Sequence, residues 1–277
     1  MPPVRAPLPH MLQITLYNDC APNCVEFGAL AAFLAENVPW ASVAFGGDLV
    51  TAAAAHLSPA ERGQLLEKTA WLLARARVHR PDHLLPPREP HPMEASVERR
   101  RLERKGDTSS PGVPLDGFRT QVIYARLIAR ADAVQIVVTG RLLLTYDPDD
   151  LRYHARTIVP GRPALISVPG LVEGPAKPRE YYQALHALGR AGLDELARAS
   201  AAKAIWGRFL AHGDDRTTEV LKGYLLQAVA YELTGDPFCP DPNCRLYNAH
   251  HQEEMLHAQM GSGSLCARHQ ALFASRP

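Results

Sequence analysis

Gly235-Asp236-Pro237-Phe238-Cys239-Pro240-Asp241-Pro242-Asn243-Cys244-Arg245-Leu246, followed after residues 247–264 by Leu265-Cys266-Ala267-Arg268-His269, decides how this chain is read. Cys239 and Cys244 form a C-x4-C knuckle, and Cys266 and His269 a C-x2-H pair. Two ligand pairs separated by a helix-length spacer match a closed tetrahedral zinc site. Thiolates are strong donors to zinc. Pro240, Pro242 and Asn243 force the tight turn that lets both knuckle sulfurs reach one ion. The alternative is three buried thiols beside a histidine. The spacing favours one structural zinc on Cys239, Cys244, Cys266 and His269, steadying an expected helix at Asn248–Met260.

Working outward, Arg216–Thr234 has the length and apolar content of a long helix, with Thr217 or Thr218 as candidate caps and Gly235-Asp236-Pro237 as its stop. Pro178–Gly189, Leu193–Ser200 and Ala201–Leu210 also read as helices. Ala133–Val138 (AVQIVV) is the clearest strand, being β-branched and apolar throughout. Arg141–Tyr146 follows it. Arg156–Val159 and Ala164–Val168 read as strands paired around Pro160-Gly161. At the other end, Met11–Tyr17, a helix over Cys24–Glu36 and a strand at Trp40–Phe45 open an α/β sheet. Ser58-Pro59-Ala60-Glu61 starts a helix running to about Val78. Pro81–Gly117 is rich in proline and charge, and we read it as a flexible insertion with Glu94–Arg104 as a solvated helix.

The chain has 277 residues, enough for one large domain or two small ones, and its 46% hydrophobic and 21% charged residues describe an ordinary globular protein. Thirty Lys+Arg against 29 Asp+Glu leave a net charge of +1, which argues against a dedicated nucleic-acid binder. No apolar run approaches the ~20 residues that span a bilayer. Met1–His10 lacks the apolar core of a signal peptide, so a cytoplasmic location is expected. The odd cysteine count, five, fits thiols or metal ligands better than a disulfide framework. Cys20 and Cys24, a lone C-x3-C pair, read as core packing.

The C-terminal run, with Arg119-x-Gln121 and the strand Ala133–Val138, resembles the archaemetzincins, a family of zinc peptidases. The likeness is closer still to a related group of metallopeptidase-like proteins. It is carried by Tyr153-His154-Ala155-Arg156, Leu165-Ile166-Ser167, Val172–Tyr182, Thr218–Tyr224 and Asn243–His250, and it spans roughly Phe118 to His269. It implies an α/β fold: a metzincin-like mixed twisted sheet with helices and a C-terminal zinc knuckle. The implied division is an N-terminal α/β portion (1–80), the insertion (81–117), a metzincin-like core (118–238) and the knuckle (239–277).

The family's active-site helix carries H-E-x-x-H-x-x-G-x-x-H. With Gly235 as its glycine, Ala228 and Glu232 stand where two histidine ligands would be, Val229 at the general base, Phe238 at the third histidine and Leu246 at the methionine below the metal. Ala, Val and Phe offer no lone pair to a metal. Other residues are therefore candidates for chemistry. His250, Glu254 and His257 fall at i, i+4, i+7 of the expected helix, with His251 beside Glu254, as a second metal site. His154 with Asp149 or Asp150 is a candidate acid–base pair, next to a turn at Asp147–Asp150. Glu173, Lys177, Arg179, Glu180, Tyr181 and Tyr182 suggest an ordered loop that Glu219 and Lys222 can face.

Two function classes follow. One is a hydrolase with a rebuilt metal site using some of His154, Glu219, Glu232, His250, His251 or Glu254. The other is a non-catalytic descendant that holds a peptide or protein in the former substrate groove. A third, a nucleic-acid accessory factor, rests on Arg99-Arg100-Arg101…Arg104-Lys105 alone. The two main classes differ in whether His154, Glu173, Glu219 and Glu232 converge in one cleft.

Overall fold

A computed structural model describes residues 12–103, 112–128, 133–189 and 207–275. The first apolar run forms β1 (Leu12–Asp19), and α1 (Phe27–Asn37) leads to β2 (Ala41–Asp48) parallel to it. After α2 (Leu49–Ala53) comes α3 (Pro59–Arg75), which carries a complete capping box between Ser58 and Glu61. The chain continues through α4 (Pro92–Glu103), β3 (Leu115–Asp116), α5 (Gly117–Ile128) and β4 (Ala133–Thr139). Then come β5 (Leu143–Asp147), β6 (Arg152–Arg156), β7 (Ile158–Val159), β8 (Ala164–Ser167), α6 (Val168–Glu173) and α7 (Arg179–Gly189). Beyond residue 207 lie α8 (Thr217–Thr234), α9 (Gln252–Leu256), a π-helical turn (His257–Ser262) and α10 (Ala267–Ala274).

The main sheet has the order β2-β1-β4-β8-β7. Its first four strands are parallel, and β7 is antiparallel to β8. This is the mixed α/β architecture expected from the sequence. Every residue of β4 and β8 is buried, as for parallel strands covered on both faces. Side-chain alternation divides the core in two. Leu12, Ile14, Leu16, Val134, Ile136 and Val138 face α1, α8 and the cysteine knuckle. Tyr17, Val137 and Leu165 face α2, α3 and α5. A small second sheet, β3-β5-β6, packs Leu144 and Tyr153 against Val78. Among the described residues no helix is long and apolar enough to cross a membrane.

Several expectations change. The helix from Ser58 ends at Arg75, not Val78, because Arg77 bridges to Leu115 and Val78 donates its N–H to Pro114 O at 2.9 Å. Thr217 and Thr218 do not cap α8. Thr217 Oγ1 donates to Asp214 O at 2.6 Å and Thr218 Oγ1 to Cys24 O at 2.9 Å, tying α8 to the β1–α1 turn. The turn expected at Asp147–Asp150 is present, and the strand after it begins at Arg152, before the expected Arg156 start, and pairs antiparallel with β5. The helices expected at Leu193–Ser200 and Ala201–Leu210 lie wholly or mostly outside the described residues, as do Arg104 and Lys105.

The largest departure is α4. It is not a solvated helix: Glu98, Arg101 and Leu102 are buried. Glu98 Oε1 accepts from Arg77 Nε at 2.9 Å and Nη2 at 2.6 Å, and Oε2 accepts from Arg141 Nη1. Arg141 also donates through Nε to Asp19 Oδ2 at 3.0 Å, where Thr139 Oγ1 (2.7 Å) and the Tyr124 hydroxyl also donate. This chain of charges sits at the carboxyl ends of β1 and β4, where the strand order reverses.

Candidate metal centre and groove

α8 runs through the core, with Val220, Leu221, Tyr224, Leu225, Leu226, Ala228, Val229 and Ala230 all buried. It stops where Gly235 adopts a left-handed conformation (φ 83°), the usual helix-ending role of glycine. Asp241 then builds the knuckle: its side chain accepts from Asn243 N–H at 2.9 Å and its carbonyl from Cys244 N–H at 3.0 Å. Cys239 N–H to Leu246 O (2.9 Å) closes the loop. Cys266 is the N-cap of α10, and His269 lies three residues on, so one helical turn puts both donors on the same side.

The four side chains converge. Their ligand atoms all lie within 4.8 Å of one another, the one such His/Cys/Asp/Glu group among the described residues. Cys239 Sγ is 3.9 Å from Cys266 Sγ, and His269 Nδ1 is 3.6 Å from Cys244 Sγ and 3.1 Å from Cys266 Sγ. Bond lengths of about 2.3 Å to sulfur and 2.0–2.1 Å to nitrogen place tetrahedral ligands roughly 3.5–3.8 Å apart. The residues therefore fit one zinc ion. Burial, more than any neighbouring charge, pushes the Cys239 thiol up to about 12 and raises Cys244. A cation is what makes such buried sulfurs thiolates. Four protein ligands would close such a site and leave no position for substrate.

The positions matching the zincin motif behave differently. Ala228 and Val229 are buried in α8. Glu232, 5% exposed, is engaged by Arg162 from the β7–β8 connection, whose Nε donates to Oε2 at 3.0 Å and Nη2 to Oε1. Phe238 lines a pocket of about 160 Å³ between α8, the β6–β7 edge and the chain after the knuckle. Tyr224 and Gln227 of α8 form one wall, Arg156 and Thr157 the second, and Asn248 and His250 the third. Gln227 donates from Nε2 to Tyr247 O at 3.3 Å, while its buried Oε1 has no partner. Gln252, fully buried, holds the third wall by donating from Nε2 to Leu171 O (2.7 Å) and Val172 O (3.2 Å).

The remaining candidates do not converge. The His154–Asp150 pair does meet, Nε2 lying 2.7 Å from Oδ2, but in the β5–β6 hairpin, where His154 stands opposite Thr145. Glu173 meets His212 at 3.2 Å and Lys177 at 3.6 Å. Glu219 meets Arg245 at 2.5 Å and Lys222 at 2.6 Å; burial alone would raise its pKa, but its hydrogen bonds and ion pairs to the two cations hold it below the ordinary carboxylate value. His250, Glu254 and His257 do not share a helix face. The expected helix begins only at Gln252, because the Glu254 carboxylate turns back to accept the His250 and His251 N–H groups, each at 3.0 Å. His257 Nε2 contacts Asn243 Oδ1 at 2.9 Å. Cys20 is buried with its thiol raised to about 12, chiefly by burial and then by Asp19, as a packing residue would be. Sequence reasoning missed Arg162, Gln227 and Gln252. None lies in a spacing motif, and their partners are distant in sequence.

A mixed α/β fold with a Cys3His cluster and a groove lined by α8 is the class defined so far. The chain belongs to the family described as "Probable metallopeptidase family (DUF6775)", whose model matches residues 10–276. Membership agrees with the resemblance carried by the cysteine spacing. Among solved structures the chain is similar to the crystal structure of archaemetzincin from Methanopyrus kandleri. The identity is 13%, over 97% of this chain and 96% of that one, with a TM-score of 0.41. No curated protein sequence matches it.

Proposed function

We propose that this metallopeptidase-family chain keeps one structural zinc on Cys239, Cys244, Cys266 and His269 and uses the groove beside α8 to hold a peptide or protein segment without cleaving it. One observation carries the reading. Of the three positions matching the zincin ligands, Glu232 alone bears a donor, and both its oxygens are taken by Arg162. Ala228 and Phe238 have none to offer. The pattern of polar residues supports a ligand-binding wall: Arg156 and Tyr224 line the groove, and the buried Gln227 carboxamide stands beside it with an acceptor to spare. A peptide backbone supplies both donors and acceptors.

The test incubates zinc-loaded full-length chain with a synthetic eight-residue peptide library. Mass spectrometry then reads both the peptides retained on gel filtration and any fragments released. The reading expects intact peptides retained, and retention reduced at least tenfold in Arg156→Ala. Zinc-dependent fragments would overturn it in favour of a rebuilt hydrolytic site around His250, and so would no retention at all.

A further inference from the structure

A second concavity shares no lining residue with the groove or with the Cys/His cluster. Arg75, Arg77, Arg80, Arg88 and Arg119 line a pocket of about 70 Å³ together with His79, His83 and Tyr153, and no acidic side chain lines it. Three chain segments supply these cations: the end of α3 with residues 77–83, the proline-rich stretch at residues 85–88, and the first turn of α5. The arrangement is graded. Arg77, its side chain 7% exposed, forms the floor, held by Glu98 from behind. Arg119 (33%) and Arg75 (39%) make the walls, and Arg88 (55%) and Arg80 (59%) the rim.

The carboxylates paired with these arginines are not among the lining residues. Glu98 holds Arg77 and Glu94 holds Arg88, each at 2.6 Å, and Glu94 also lies 3.2 Å from His79, but the other three arginines are held loosely. Arg75–Glu89 and Arg80–Asp82 are 3.6 Å apart and Arg119–Asp116 3.7 Å, beyond hydrogen-bond length. Arg75 Nε is buried with no hydrogen-bond partner. The guanidiniums of Arg75, Arg80 and Arg119 are therefore left with donor capacity that their own carboxylates do not take up at hydrogen-bond length.

We infer that this pocket binds a phosphate group, either free or as the end of a small phosphorylated molecule. Guanidinium forks match both carboxylates and phosphates. A carboxylate presents two oxygens in one plane, whereas a tetrahedral phosphate can accept from forks that approach from several directions, as these do. The concavity is far too small for a nucleoside. Leu85, Pro86 and Pro87 wall one side, unlike the open basic stripe that tracks a nucleic-acid backbone. The site is independent of the peptide-binding reading and stands or falls without it.

Isothermal titration of the zinc-loaded full chain with inorganic phosphate and with pyrophosphate, at fixed ionic strength, tests the assignment. Saturable binding is expected for both, with acetate giving none. Arg75→Gln with Arg119→Gln should weaken phosphate binding at least tenfold while circular dichroism and zinc content stay unchanged. If that pair fails to fold, the rim pair Arg80→Gln and His83→Gln should weaken binding at least threefold. Absence of saturable phosphate heat, equal heat from acetate, or undiminished binding in the folded variants would overturn the assignment. So would a single-stranded oligonucleotide that outcompetes pyrophosphate, which would mark the surface as one for nucleic acid.

Discussion

Glu98 and Arg141 meet in the interior although 43 residues separate them. Each is essentially inaccessible to water, at 0% and 1% exposure. The pair joins α4 to the carboxyl ends of the central strands, so the segment richest in charge is bound to the most apolar part of the sheet. Removing one member of a buried pair leaves an uncompensated charge, at a cost of about 3–5 kcal/mol. Glu98→Ala is expected to lower the unfolding free energy in urea by that amount.

The same carboxylate predicts a pH dependence. Burial alone would raise its pKa, but the Arg141 and Arg77 guanidiniums outweigh burial and hold it below the ordinary value. A group whose folded pKa is depressed contributes stability above its unfolded pKa, about 4.3, and loses it as pH falls through the folded value. Urea midpoints should therefore be level from neutrality to about pH 5 and fall below it. The fall should be shallower in Glu98→Gln.

The metal prediction concerns stoichiometry. Chain purified without a histidine tag should carry one zinc by mass spectrometry, lost in Cys244→Ser together with cooperative melting. A metal retained by that variant would point to a second site.

Arg162 and Glu232 give a directional prediction. Arg162→Met leaves a buried carboxylate without its donor, a loss of about 1–3 kcal/mol. Arg162→Met combined with Glu232→Met should recover most of that loss, and thermal melts of the three proteins check it.

Gly170 sits where α6 touches β6. A Cβ there would lie 2.1 Å from Arg156 O, a backbone atom that cannot swing aside. Gly170→Ala is expected to cost about 1–3 kcal/mol through overpacking. It should also weaken peptide retention, because β6 carries Arg156 into the groove.

What the sequence disclosed and what it withheld divide along physical lines. The strand Ala133–Val138 and the Ser58–Glu61 helix start were legible because local rules, β-branching and capping, govern them. The convergence of Cys239, Cys244, Cys266 and His269 was legible because short turns set its spacing. The burial of Glu98 was not. Its partners Arg77 and Arg141 are distant in sequence, and a helix bearing Glu98, Arg99, Arg100 and Arg101 looks solvated until a facing charge is known. The metal face proposed for His250, Glu254 and His257 depended on a helix start that the Glu254 carboxylate itself displaces.

Trp40 donates from Nε1 to Phe273 O at 2.9 Å, across 233 positions of sequence. Its neighbour β2 lies beside β1, and Phe273 belongs to the helix that begins at Cys266 of the Cys3His cluster. The knuckle is thus a clasp that closes the chain's first segment onto its last, not an appended finger. During synthesis β1 must wait, its edge bare, until β4 emerges, and the clasp cannot shut before residue 273 is made. Non-local closure of this kind folds slowly. In refolding, zinc uptake should rise with the final tertiary signal, not ahead of it.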